Sequence, residues 1–234
     1  MKRISLIAGA FAVALVLALP SIASARVDEL GNTDPTPAAS CPDNCQAVGR
    51  VSGYQVQQGQ ARNAFRAKER GKIVAFTITL GNPRQDQIDF FTNLFGGDPQ
   101  VQLTVFRVGT KRRHRVTGKS EVFDLKRYYG SSPTFALSRP LTVKKDYVVG
   151  ITVPTWAPAF SVGLGNDEAW RSSRDPEDCN DVRQDAAQVE RGSLRTWGCF
   201  YRTARLLYTV TMVPNPKPTA RDEDRDSRSR RSRR

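Results

Sequence analysis

Histidine is almost missing. The 234 residues contain one, His114, and only two methionines. A single imidazole excludes zinc hydrolase sites, whose three protein ligands usually include at least two histidines. It also leaves little for a triad, because a catalytic histidine needs an orienting partner and a nucleophile within reach. His114 sits among Lys111, Arg112, Arg113 and Arg115, where four cationic neighbours disfavour its charged form, and it reads as a loop residue. No G-x-S-x-G elbow occurs; the stretch Gly118-Lys119-Ser120-Glu121-Val122 ends in the wrong residue. Phosphate-loop and dinucleotide fingerprints are absent, so no nucleotide cofactor is implied. No segment carries a sustained helical period of apolar residues, which argues against alternating β and α units. No enzyme is expected.

Long apolar runs are missing as well, except at the start. Lys2 and Arg3 precede an apolar stretch from Leu6 to Leu19, and Ala23-Ser24-Ala25 forms a small-residue cleavage site. These three parts make a secretory signal peptide over residues 1–25. The apolar stretch is shorter than the roughly 20 residues a spanning helix needs. After cleavage no membrane span is expected, and the location is secreted or extracytoplasmic. Residues 26–40 are rich in Pro, Thr and Ser and read as a flexible leader. Residues 214–234 form an Arg/Ser-rich tail, without a hydrophobic side chain from Arg221 onward, and are expected to be disordered. Residues 41–213 remain, enough for one domain with a core.

Cysteine is scarce but even in number. Cys41, Cys45, Cys179 and Cys199 in an exported chain suggest two disulfides, with three connectivities open. Pairing of sequence neighbours, Cys41 with Cys45 and Cys179 with Cys199, is favoured. A four-thiolate zinc site is the alternative, disfavoured by the wide spacing of the second pair.

Strand signals dominate what is there. In Gly71 to Pro83, Val74, Phe76, Ile78 and Leu80 share one face, while Ile73, Ala75, Thr77 and Thr79 share the other. Val101, Leu103 and Val105 alternate with Gln102, Thr104 and Phe106. Lys111 to Arg115 then reads as a basic hairpin tip. Two short strands flank Lys144-Lys145-Asp146, the second closed by Pro154. A last strand runs from Thr203 to Val213, and a weak early one from Ala47 to Val56. Residues 61–69 and 87–97 are the candidate helical turns. This pattern predicts an all-β fold, an antiparallel β-sandwich of jelly-roll type, with long connections at 81–99, 154–170 and 171–200. The order of an alternating strand ending LGNP, a V-x-L-x-V-F-R strand, a basic hairpin and PLTVKKDYVVGITVP resembles jelly-roll-like domains of exported bacterial proteins, many of them uncharacterised. Some relatives in that architecture are carbohydrate-binding modules. The resemblance spans about two thirds of the core and carries no site residues with it.

The chain is basic, with a net charge of +13. Basic surfaces attract anionic polymers, and export makes acidic polysaccharide or an anionic envelope polymer the expected partner rather than nucleic acid. Lys111, Arg112, Arg113 and Arg115 are candidate oxyanion contacts, because guanidinium groups pair with carboxylate, sulfate or phosphate. Trp156 and Trp170 are candidate sugar-stacking residues, the latter with Asn166, Asp167, Glu168 and Arg171 beside it. Trp156, set between Pro154 and Pro158, reads rather as a plug at the end of the core, and Trp197 as a core residue. Two further readings are kept. A protein-interaction module would show a broad apolar patch. A glycoside hydrolase would need two facing carboxylates, for which Glu121, Asp146, Asp167 and Glu168 are candidates. The acidic run Asp175 to Asp181 holds oxygen donors of the kind calcium takes, although Arg171, Arg174 and Arg183 can neutralise it.

Overall fold

The computed structural model describes residues 26–32, 35–183 and 188–216. The expected signal segment 1–25 and the part of the expected tail beyond residue 216 lie outside them. Strands make up 48 % of the described residues and helix 11 %. In chain order the strands are β1 (Asp28–Leu30), β2 (Val48–Gln58), β3 (Ala61–Arg62), β4 (Gly71–Ile78), β5 (Gln100–Val108), β6 (Arg113–Lys119), β7 (Phe123–Asp124), β8 (Thr134–Val143), β9 (Val148–Ala157) and β10 (Phe160–Val162). They continue with β11 (Glu168–Ser172), β12 (Leu194–Thr196), β13 (Cys199–Arg202), β14 (Ala204–Leu206) and β15 (Tyr208–Pro214). Among the described residues one α-helix, α1 (Gln85–Phe95), and three single-turn 3-10 helices interrupt them.

All pairings are antiparallel. A large, curled sheet runs β12-β6-β5-β9-β2-β11-β13, with β3 beside β2 and β7 beside β5. A small sheet runs β1-β15-β4-β8, and β10 pairs with β14. Ile73, Phe76 and Ile78 of the small sheet and Leu103, Val105 and Ile151 of the large one belong to a single buried cluster. Each such side chain contributes roughly 1.5–3 kcal/mol through its removal from water.

Several expectations change here, each for a physical reason. Residues 28–30 are a strand, not part of a flexible leader. Glu29 pairs with Thr211, Leu30 pairs with Val210 and is buried, and Gly31 N–H donates to Ala64 O. A three-residue edge strand needs few apolar side chains, because ladder hydrogen bonds hold its backbone. The tail boundary also moves, since β15 extends to Pro214 and Asn215 N–H donates to Arg70 O. Residues 61–69 form no helix. Phe65 is fully buried there, its ring 4.1 Å from that of Tyr208. Residues 87–97 overlap α1, which ends at Gly96 in the left-handed conformation.

The faces of β4 differ from simple alternation. A bulge at Val74 shifts the register against both β8 and β15, so Ile73 joins Phe76 and Ile78 on the buried side. Pro154 does not close β9 either. The ladder of β9 to β5 stops at Thr152, and β2 bulges at Arg50, passing from Val51 opposite Val153 to Gly49 opposite Trp156. The bulge places the proline where no N–H is needed, and the strand continues to Ala157.

The centre of the large sheet, at β5 and β9, is buried on both faces, which is why Thr104 and Phe106 are as hidden as Leu103 and Val105. The described parts of the connection, 173–183 and 188–198, fold back onto this sheet. Ser173 N–H donates to Ser52 O, Val116 N–H to Ser193 O, and Trp197 N–H to Arg112 O. Beneath it, Thr152 Oγ1 links the hydroxyls of Ser52 and Thr104, each at 2.6 Å. Trp197, fully buried, stacks on Phe106 at 4.5 Å between centroids and lies 5.5 Å from Tyr54. The covering segment is tied down by the Cys179–Cys199 disulfide, and Cys41 pairs with Cys45. Both bridges follow the favoured connectivity and point to an oxidising compartment. Among the described residues no helix is long and apolar enough to cross a membrane.

Candidate functional site

The basic hairpin is shorter than its composition suggests. The turn is confined to residues 109–112, and Arg113 and Arg115 lie within β6. Alternation along β6 sends Arg113 and Arg115 outward and His114 and Val116 inward. His114 is therefore a core residue, not a loop residue. It is 3 % exposed, its ring stacked 5.5 Å from Phe106, with Nε2 3.3 Å from Tyr54 Oη. Burial pushes its pKa down to about 4, assisted by Arg171 and Arg66 nearby and opposed by a backbone hydrogen bond. It is neutral at pH 7.

On this same face the structure joins two groups of sequence-predicted residues. Trp197 bridges them: its N–H donates to Arg112 O at 2.9 Å, and its carbonyl accepts from Arg171 Nη1 at 3.1 Å. Arg171 stands opposite both Tyr54 and Phe200 in the sheet. Its guanidinium lies 5.0 Å from the centre of the Phe200 ring, and that of Arg202 lies 5.2 Å from it. Burial lowers the pKa of Arg171, and Arg112 lowers it further. Burial raises the Tyr54 phenol, which Arg171 and Arg66 pull the other way. Among the described residues none of Arg66, Arg112, Arg171 and Arg202 has a carboxylate within ion-pairing distance. Lys111, Arg113 and Arg115 are likewise without one and are exposed, Arg115 donating to Gly192 O.

The other predicted residues lie elsewhere. Trp156 is fully buried at the end of the core, against Phe91 at 5.2 Å, and Nε1 donates to Gly97 O at 3.0 Å. Trp170 is 4 % exposed and stacked on Tyr201 at 4.4 Å, so neither indole forms a surface platform. Burial follows from alternation, because Trp170 and Arg171 face opposite sides of β11. Asn166 and Asp167 are exposed in the turn before β11, and Asn166 O accepts from Arg202 Nη1. Glu168 is not free for acid–base work. It is ion-paired with buried Arg205, whose Nε donates at 2.8 Å, and accepts from Gly59 N–H at 3.0 Å. Glu121 accepts the Ser138 N–H at 2.7 Å; burial favours its neutral form, but the hydrogen bonds prevail and hold its pKa below the usual carboxylate range. Asp146 occupies a turn at φ +68.

In the acidic run, Asp175 is ion-paired with Arg195 at 3.0 Å rather than with Arg171, Arg174 or Arg183. No group of three or more histidine, cysteine or acidic side chains is placed to hold a metal among the described residues. Phe200, Arg202 and Arg66 were not singled out from the sequence. The alternating run Cys199-Phe200-Tyr201-Arg202 is the signal that placed Phe200 and Arg202 together on one face.

No protein-family model matches the chain, and neither a curated protein nor a solved structure is significantly similar to it.

Proposed function

We propose that this is an exported, non-catalytic protein that binds acidic polysaccharide of the cell envelope or extracellular matrix along the Arg112, Arg171, Phe200, Arg202 strip. In this reading the architecture is a jelly-roll-like β-sandwich, supported by two antiparallel sheets that share one buried cluster. The observation that carries the function is the set of guanidinium groups without carboxylate partners among the described residues, two of them held over one aromatic ring. Arginine presents paired N–H donors that match carboxylate and sulfate oxygens. Lys111, Arg113 and Arg115 extend the field at the neighbouring edge, and no cofactor is invoked.

The test is binding of the chain from Arg26 onward to polygalacturonate, with dextran as the neutral polymer, at about 50 mM and about 300 mM salt. Affinity for the acidic polymer is expected, reduced but not lost at the higher salt. Arg112→Ala and Arg202→Ala together are expected to weaken it roughly tenfold, as two charge-assisted contacts warrant. Equal retention of dextran, or an unchanged affinity in the double variant, removes the strip from the function.

A further inference from the structure

A second site borders that strip and shares Arg202 with it. We propose that the pocket between the two disulfide-bonded loops binds a small amphiphilic carboxylate, its head at Arg174 and its apolar body along α1. This does not rest on the polysaccharide reading.

The pocket has a volume of about 450 Å³, in the range of small-molecule sites. Asn44 and Gln46, beside Cys45, form one side, and Cys179 and Asn180 form another. Trp170, Arg174 and Tyr201 also line it. Arg174 is 4 % exposed, yet both its bonds go to neutral acceptors: Nη1 to Tyr201 Oη at 3.2 Å and Nη2 to Gly49 O at 2.9 Å. Its Nε has no partner, and among the described residues no carboxylate pairs with it. Trp170 Nε1, on the wall of the same pocket, is buried without a partner as well. A buried cation lacking a counter-charge is costly, and so is a buried donor without an acceptor. One entering carboxylate relieves the first and offers the second an oxygen.

The apolar half of the ligand follows from the adjoining hollow. It has a volume of about 560 Å³ and shares Gln46, Ala47, Phe95 and Val182 with the pocket. Phe90, Phe91 and Leu94 complete its wall, with Phe90 59 % and Val182 40 % exposed. Asp86 also borders this hollow, which disfavours a second anionic group there. The complementary ligand carries its charge at one end only.

The probe is decanoate, with decanol as the neutral counterpart, followed by calorimetry and tryptophan fluorescence on the chain from Arg26 onward. Decanoate is expected to bind at least about tenfold more tightly than decanol. Arg174→Met is expected to abolish that preference while decanol binding stays within about twofold. Val182→Asp, at an exposed position, is expected to weaken both probes by loss of apolar contact, and decanoate roughly threefold or more beyond decanol. If Arg174→Met does not fold, Val182→Asp decides. Absence of decanoate binding at about 1 mM, equal affinity for the two probes, or a preference that survives the substitutions overturns the proposal.

Discussion

Two guanidinium groups are buried here to nearly the same degree, Arg205 at 6 % exposure and Arg174 at 4 %. Arg205 has its own counter-charge, since Glu168 accepts from two of its nitrogens. The same carboxylate accepts from Gly59 N–H and from Gln55 Nε2, so its lone pairs are filled from within the protein. Among the described residues the Arg174 guanidinium meets only a phenol and a peptide carbonyl. The first arrangement is closed and has no use for a ligand. The second is electrostatically open; both border a hollow, so only the missing counter-charge distinguishes them. Equal burial thus conceals opposite roles, and the difference lies in the neighbours, not in the arginine.

The sharpest way to break the comparison is Glu168→Ala. It leaves Arg205 buried with its charge uncompensated, and a loss of about 3–5 kcal/mol in denaturant unfolding is expected. A loss below about 1 kcal/mol would mean that water reaches Arg205 and that the two sites do not differ in kind. Next in size is removal of the Cys179–Cys199 bridge. Its partners are 20 residues apart, against 4 for Cys41–Cys45. Loop entropy gives about 3 kcal/mol for the longer loop and about 2 kcal/mol for the shorter. Cys179→Ser with Cys199→Ser is therefore expected to lower the unfolding midpoint more than the corresponding pair at 41 and 45. It also releases a wall of the Arg174 pocket and leaves Arg205 untouched.

His114 supplies a third, pH-dependent contrast with the two permanently charged groups. Its pKa is about 4 in the folded protein and about 6.5 in an unfolded chain. Below pH 6.5 the unfolded state takes up the proton first. Stability is therefore full above that pH, falls between about 6.5 and 4, and loses nothing further from this group below that window. His114→Phe keeps a ring against Phe106 and Trp197 and is expected to flatten the slope in that window. An unchanged slope would mean that His114 does not titrate in that window; Asp28, whose hydrogen bond from Arg26 lowers its pKa, loses its contribution only below the ordinary carboxylate value of 3.8.

The strands were legible because burial on one face leaves a period of two, as in Leu103 and Val105 or Val210 and Met212. Legibility failed where a bulge resets that period, at Val74 and at Arg50 opposite Pro154, because a bulge is a property of the pair and not of one strand. His114 was hidden by composition, since four cations around one imidazole read as a solvated tip. The alternation Arg113, His114, Arg115, Val116 was present and was the better guide. Of the site, Arg112 and Arg171 were visible as cations, but not their meeting at Trp197, which depends on a return of some 25 residues. The state of Arg174 was least legible. Its partners come from Gly49 and Tyr201, far apart in sequence, and that no carboxylate among the described residues reaches it is knowable only once the chain has closed.

The smallest expected effect sharpens the comparison most. Arg174→Met keeps the length of the side chain and removes the charge. It deprives Gly49 O of one donor, at about 1 kcal/mol, and relieves the burial of an unpaired cation by a similar amount. Stability is therefore expected to stay within about 1 kcal/mol of the original in the absence of ligand, by the same denaturant measurement that reads Glu168→Ala. A buried arginine that can be neutralised at so little cost is not kept for the fold. A loss near that of Glu168→Ala would instead make Arg174 a structural tie between β2 and β13, holding Gly49 to Tyr201.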